Sequence, residues 1–138
     1  MTKDEKLKAL YDENGLEKED IFILEMSGKK IPIITRTGIE KIQAKKEIYV
    51  TYEIVYHDHK NGFAIIKARG EVKVYNSDGL FKVLMIETFG EVSPENNKQK
   101  YPIAMAEKRA LSRVVLKLAG LYEMGVFGEM EAEEFKQK

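Results

Sequence analysis

Arg109, Arg113 and Lys117 recur every four residues along the run PIAMAEKRALSRVVLKLAG, which begins at Pro102 and ends at Gly120. In an α-helix residues four apart share a face, with Cβ atoms about 5–6 Å apart, so the three cations form a stripe. Cations repeated along a path are what a phosphate backbone requires, and such contacts carry affinity without reading sequence. Lys98 and Lys100 stand in the polar loop before the run, and Arg69 and Lys73 alternate along a charged strand, so these four extend the candidate path. Lysine and arginine also cover ordinary solvated helix surface; the loop and strand cations tip the reading toward a DNA-binding site. Tyr49, Tyr75 and Tyr101 lie on or beside polar faces, where a ring can stack an unpaired base for about 1–3 kcal/mol. Edge packing is the commoner fate of such a tyrosine.

Other chemistries find less support. His57-Asp58-His59 offers two imidazoles at a turn, with no further histidine and no cysteine to complete a metal site, so a polar turn is the favoured reading. Asp58 with Glu71-Val72-Lys73 has the form of a metal-dependent nuclease, in which carboxylates hold Mg²⁺ and the lysine polarises the phosphate. Charged strands produce that spacing often, which makes it a weak signal. No nucleophile elbow or phosphate-binding glycine loop occurs. We therefore expect no catalytic residues, no metal and no cofactor.

The 138 residues suffice for one compact domain with a sizeable core, and the absence of cysteine favours a reducing, cytoplasmic setting. The first ten residues, MTKDEKLKAL, carry charges instead of an apolar run, so neither a leader nor a membrane span is expected. Basic and acidic residues balance at 23 each, yet they are not evenly spread. Residues 1–27 and 118–138 are acidic and residues 28–117 are basic, as a cationic binding core between acidic ends would be.

The elements that must position these residues follow from the periodicities. Residues 3–12 suggest a short helix ending near Asn14-Gly15. Residues 21–26 and 31–35 suggest a small hairpin, and Thr37 with Glu40 has the capping-box spacing for a helix running to Lys45 or Lys46. Alternation then places Ile48, Val50, Tyr52, Ile54 and Tyr56 on one face of a strand. A second strand follows, with Ile66, Ala68, Val72 and Val74 inward and Lys67, Arg69, Glu71, Lys73 and Tyr75 outward. Residues 80–88 form a third strand, apolar enough to be central or covered on both sides. The expected fold is α+β: a short N-terminal hairpin, a helix, a three-stranded antiparallel meander, and a long C-terminal helix, with both helices on one face of the sheet. The expected division is an N-terminal segment over residues 1–20, one domain over 21–120, and a loosely held acidic tail over 121–138.

With that order of elements, residues 78–120 resemble the core of the single-strand annealing proteins of homologous recombination. These are the phage recombinases of the Erf and Red-beta kind and the eukaryotic recombination mediator of the same class. In that superfamily a strand opened by Asp-Gly leads through a glycine-containing loop to a long helix, rich in alanine and basic residues, that ends at glycine. Asp78-Gly79, Gly90, AMAEKRALSRVVLKLA and Gly120 are similar to these features. The ending SRVVLKLAG sets Arg113 and Lys117 at two positions where the family uses basic residues against DNA. Val114 stands where the eukaryotic members carry a further basic residue, which leaves a thinner cluster or one supplemented by Arg109. The resemblance implies single-stranded DNA binding and strand annealing without ATP. It also implies a homo-oligomeric ring or filament, and a host single-strand binding protein or exonuclease as partner. The order helix, three strands, helix is equally that of double-stranded RNA-binding modules, and an assembly or adaptor domain with no nucleic-acid role is the third reading.

Overall fold

The structure, a computed structural model, describes residues 2–97 and 100–136. Helix α1 (Lys3–Glu13) is capped by Thr2, whose hydroxyl accepts from the Glu5 amide at 3.2 Å, and it buries Leu7. After a 3-10 turn (Lys18–Asp20), β1 (Ile21–Met26) and β2 (Lys29–Ile34) pair as an antiparallel hairpin. Its two-residue loop, Ser27-Gly28, has positive φ at both positions, the twist that suits tight hairpins. Helix α2 (Arg36–Lys46) starts at Thr35, whose hydroxyl accepts from the Gly38 amide at 3.1 Å. The cap is thus two residues earlier than the Thr37 capping box expected from sequence: Thr35 has the extended backbone of a residue leaving β2, and Thr37 is already helical.

Strands β3 (Tyr49–Asp58), β4 (Phe63–Tyr75) and β5 (Phe81–Val92) form the antiparallel meander, with β4 in the centre. Helix α3 (Pro102–Leu118) lies across β4 and β5. The α+β class, the meander and the long helix on one sheet face agree with expectation. Two glycines set how closely that helix approaches. A Cβ at Gly90 would sit 2.0 Å from the Ala106 carbonyl oxygen, and one at Gly70 would sit 2.6 Å from Val114 Cγ1. Hence the β-strand backbone touches the helix almost directly, a contact only glycine permits.

The other side of α3 is covered as well, which the sequence did not foretell. A second sheet, ordered β1-β2-β6, adds the two-residue strand β6 (Phe127–Gly128) parallel to β2, pairing Ile33 with Phe127 and Ile34 with Gly128. β6, α2 and α4 (Glu129–Lys136) all contact α3. α2 packs on α3, β2 and the 3-10 turn instead of joining α3 on the large sheet as expected. The expected loose tail is part of the fold: Leu121, Val126 and Ala132 are buried, and the Glu129 carboxylate accepts from the Arg36 amide at the α2 N-terminus, at 2.9 Å. An acidic side chain there offsets the helix dipole while satisfying an orphan donor. α3 is therefore a central helix between two layers, with Ala106, Ala110, Val114, Val115 and Leu116 all fully buried.

Two further expectations change. A bulge between Ile54 and Tyr56 shifts the register of β3, so Tyr56 pairs with Ile65 and turns to the face opposite Ile54. β5 is an edge strand, not a central one, and Phe81, Val83, Leu84 and Met85 near its start are exposed.

Candidate nucleic-acid interface

The expected basic stripe on α3 is not a surface. Arg109 is fully buried, and its guanidinium donates to the Glu91 carbonyl at 2.9 Å, the Asn96 carbonyl at 2.7 Å and the Asn96 side-chain oxygen at 3.0 Å. Its place in the phosphate site is corrected accordingly: it clasps the loop after β5 to the helix. Arg113 has only 18% of its side chain exposed; it donates to the Phe89 carbonyl and, at 3.2 Å, to the nearly buried Glu131 carboxylate of α4. Its charge is spent inside the protein, so it too is withdrawn from the expected path. Phe89 and Glu91 are alternate residues of one strand, so their carbonyls point to the same side. A guanidinium cannot enter between paired strands; the two arginines therefore cap the outer edge of β5. Such capping blocks further strand pairing along that half of the edge. Lys117 is exposed, 3.5 Å from the Thr88 hydroxyl and 5.2 Å from the Tyr122 ring centre.

The remaining candidates lie elsewhere. Arg69 and Lys73 share the sheet face turned away from α3, and no described element covers that face. Its middle is a self-neutralising ladder. Lys67 reaches Glu53 at 3.1 Å and Glu87 at 3.0 Å, and Arg69 reaches Glu71 at 3.3 Å. The hydrogen bonds Lys67 donates to Glu87 and then Glu53 raise its pKa above its ordinary value, so the ammonium is held charged against these carboxylates. A phosphate arriving there would meet three acids and two bases. Lys98 lies outside the described residues.

Lys100 is exposed and does find company. The turn after β3 faces the loop before α3 across a cleft of about 410 Å³, lined by His59, Lys60 and Lys100 among others and, among the described residues, by no carboxylate. Lys60 went unnoticed in the sequence because it sits in a turn forty residues from Lys100. At the opposite end of the sheet a larger cleft, about 590 Å³, brings Lys73 together with Lys45 and Lys46 from the end of α2, and with Tyr49 and Tyr75. In the sequence Lys45 and Lys46 mark a helix end, and their nearness to Tyr49 is a local signal of this site. The cleft wraps round the edge of β4: its apolar lining, Val72, Val74 and Leu118, is on the α3 side, while Lys73, Tyr49 and Tyr75 belong to the opposite face.

The nuclease pattern does not assemble. Asp58 pairs with Phe63 and Glu71 with Tyr49, so eight residues of β4, about 26 Å at 3.3 Å each, separate the two carboxylates. The Asp58 carboxylate instead accepts from the Asn61 side chain at 2.7 Å and its amide at 3.2 Å, bonds that lower its pKa. The His57 and His59 rings stand edge to face, 5.9 Å apart. Among the described residues no group of three or more His, Asp or Glu side chains is placed to hold a metal, and no helix is long and apolar enough to cross a membrane. Compared with known proteins, the chain matches no family model and no curated protein sequence.

Proposed function

We propose that this protein binds single-stranded DNA through its phosphate backbone and brings complementary strands together during recombination, without nucleotide hydrolysis. The observation that carries the reading is the cleft of Lys60, His59 and Lys100, whose lining among the described residues holds cations and no carboxylate. Backbone binding needs cations that are not already neutralised. The exposed apolar end of the β4–β5 hairpin supports the oligomeric part of the reading, because a single domain this short presents too little surface to hold two strands in register.

Gel-shift titrations with single-stranded DNA, duplex DNA and duplex RNA test the binding, and a fluorescence assay of complementary oligonucleotides tests the annealing. Single strands are expected to bind tightest, with a log–log salt slope of about −0.7 per phosphate. The double variant Lys60→Gln with Lys100→Gln should melt like the parent and show a slope smaller by about 1.4. A response that is flat between low and physiological salt removes the electrostatic reading. Displacement of bound DNA by duplex RNA favours an RNA-binding module instead.

A further inference from the structure

Strand β4 outruns its neighbour. β3 begins at Tyr49, opposite Glu71, while β4 continues to Tyr75 with only β5 beside it. The chain reaches β3 from α2 through Glu47, a left-handed C-cap at φ 53°, and buried Ile48. The α2 terminus is thereby fixed beside the unpaired edge of β4, and the larger cleft is the notch between them.

Three lysines meet in that notch: Lys45, Lys46 and Lys73. Among the described residues none of them has a carboxylate within 4.0 Å. Two glutamates also line it, but Glu71 is engaged by Arg69 at 3.3 Å, which leaves Glu47 as the opposing charge. Lys45 and Lys46 at a helix C-terminus favourably oppose the dipole, and Lys73 lies 4.8 Å from the Phe81 ring centre. Neither arrangement removes the ammonium charge or its free N–H donors. Tyr49 and Tyr75 are 67% and 62% exposed, more than packing at a sheet edge requires, and both line the notch on the same sheet face as Lys73. Lysine is depleted at the cores of protein–protein interfaces, whereas cations beside exposed rings are how single strands are held.

We infer that the notch where β3 stops short of β4 seats one nucleotide unit of a bound single strand, its phosphates on Lys45, Lys46 and Lys73 and its base on Tyr49 or Tyr75. The inference rests on the single-strand binding proposed above and adds a second seat. Nine positions, from Gly62 just before β4 to Glu71 within it, separate the clefts, about 30 Å. A strand that uses both must follow the long axis of the sheet.

The test uses a fluorescein-labelled oligodeoxythymidylate and the full chain. The triple variant Lys45→Gln, Lys46→Gln, Lys73→Gln should melt near the parent and reduce the magnitude of the salt slope by about 2. Lys29→Gln with Lys30→Gln, at the start of β2 in the other sheet, should leave the slope unchanged. Tyr49→Ser and Tyr75→Ser, read separately, should leave the slope alone, and the one that carries the base should weaken binding about tenfold. These single variants also decide the matter if the triple variant proves unstable. A folded triple variant with the parent's slope and affinity overturns the notch while single-strand binding stands. A parent that binds no oligomer at about 50 mM salt overturns both. A triple variant that binds DNA normally but shows a lower mass in light scattering overturns the nucleotide seat in favour of a contact with a second copy of the chain.

Discussion

Helix α3 carries cations yet is enclosed on nearly every side, whereas the far end of the β4–β5 hairpin carries aromatic and aliphatic residues and stands open on both faces. Phe81, Val83 and Met85 point to one face of the sheet and Leu84 to the other, and all four are more than 40% exposed. Arg109, by contrast, is fully buried. The difference teaches that side-chain type ranks below what the neighbouring layers supply. An arginine can be buried when carbonyls converge on its guanidinium, since charge-assisted hydrogen bonds then replace water. A valine stays exposed when no layer reaches it. Helix α3 ends at Leu118, and the hairpin runs on beyond the notch with only its own two strands.

The largest expected effect tests the enclosed side of this contrast. Arg109→Ala would leave the Glu91 and Asn96 carbonyls without their donor and open a void, at a cost of about 4 kcal/mol. Calorimetric or circular-dichroism melting measures it. If Arg109→Ala keeps the parent's melting temperature while losing DNA affinity, the residue is a surface contact and the contrast fails. Gly90→Ala comes next. Its new Cβ would meet helix backbone, which cannot rotate away, so about 3 kcal/mol of destabilisation is expected from lifting α3 off β5. An unchanged urea midpoint would show that the helix does not approach so closely. The smallest effect on stability belongs to the open side. Phe81→Ser with Val83→Ser should change stability by roughly 0.5 kcal/mol or less while lowering the mass seen by light scattering at micromolar protein. Unchanged scattering would exclude the hairpin end as the surface of self-association.

Much of the frame is legible in the sequence alone. The alternation of Ile66, Ala68 and Val72 with Lys67, Arg69 and Glu71 placed β4 and its two faces as they are found, because a half-covered strand writes its environment with period two. Pro102 and Gly120 bracketed α3 for reasons of backbone geometry that hold in any context. The candidate site was far less legible. Of its residues, Lys73 and Lys100 line clefts, Lys117 is exposed beside Thr88 and Tyr122 and lines neither cleft, and the arginines are bound to protein partners. Lys60 meets Lys100, and Lys45 meets Lys73, only through pairings distant in the chain, which no local pattern encodes.

What the sequence by itself determined was the existence of α1 to α3 and β1 to β5 and the apolar side of most of them, since helix and strand periods and their caps depend on neighbours a few residues away. What the tertiary structure decided was which surfaces remain surfaces. β6 needs only two residue pairs with β2, nearly a hundred positions earlier, too short a segment to announce itself by propensity. Yet it closes the second layer over α3, and with α4 it brings Glu131 to Arg113. The same four-residue spacing of cations serves a solvated face or an internal clasp. Only the position of the opposing carbonyls and carboxylates, set by the packing of distant segments, fixes which form has the lower free energy.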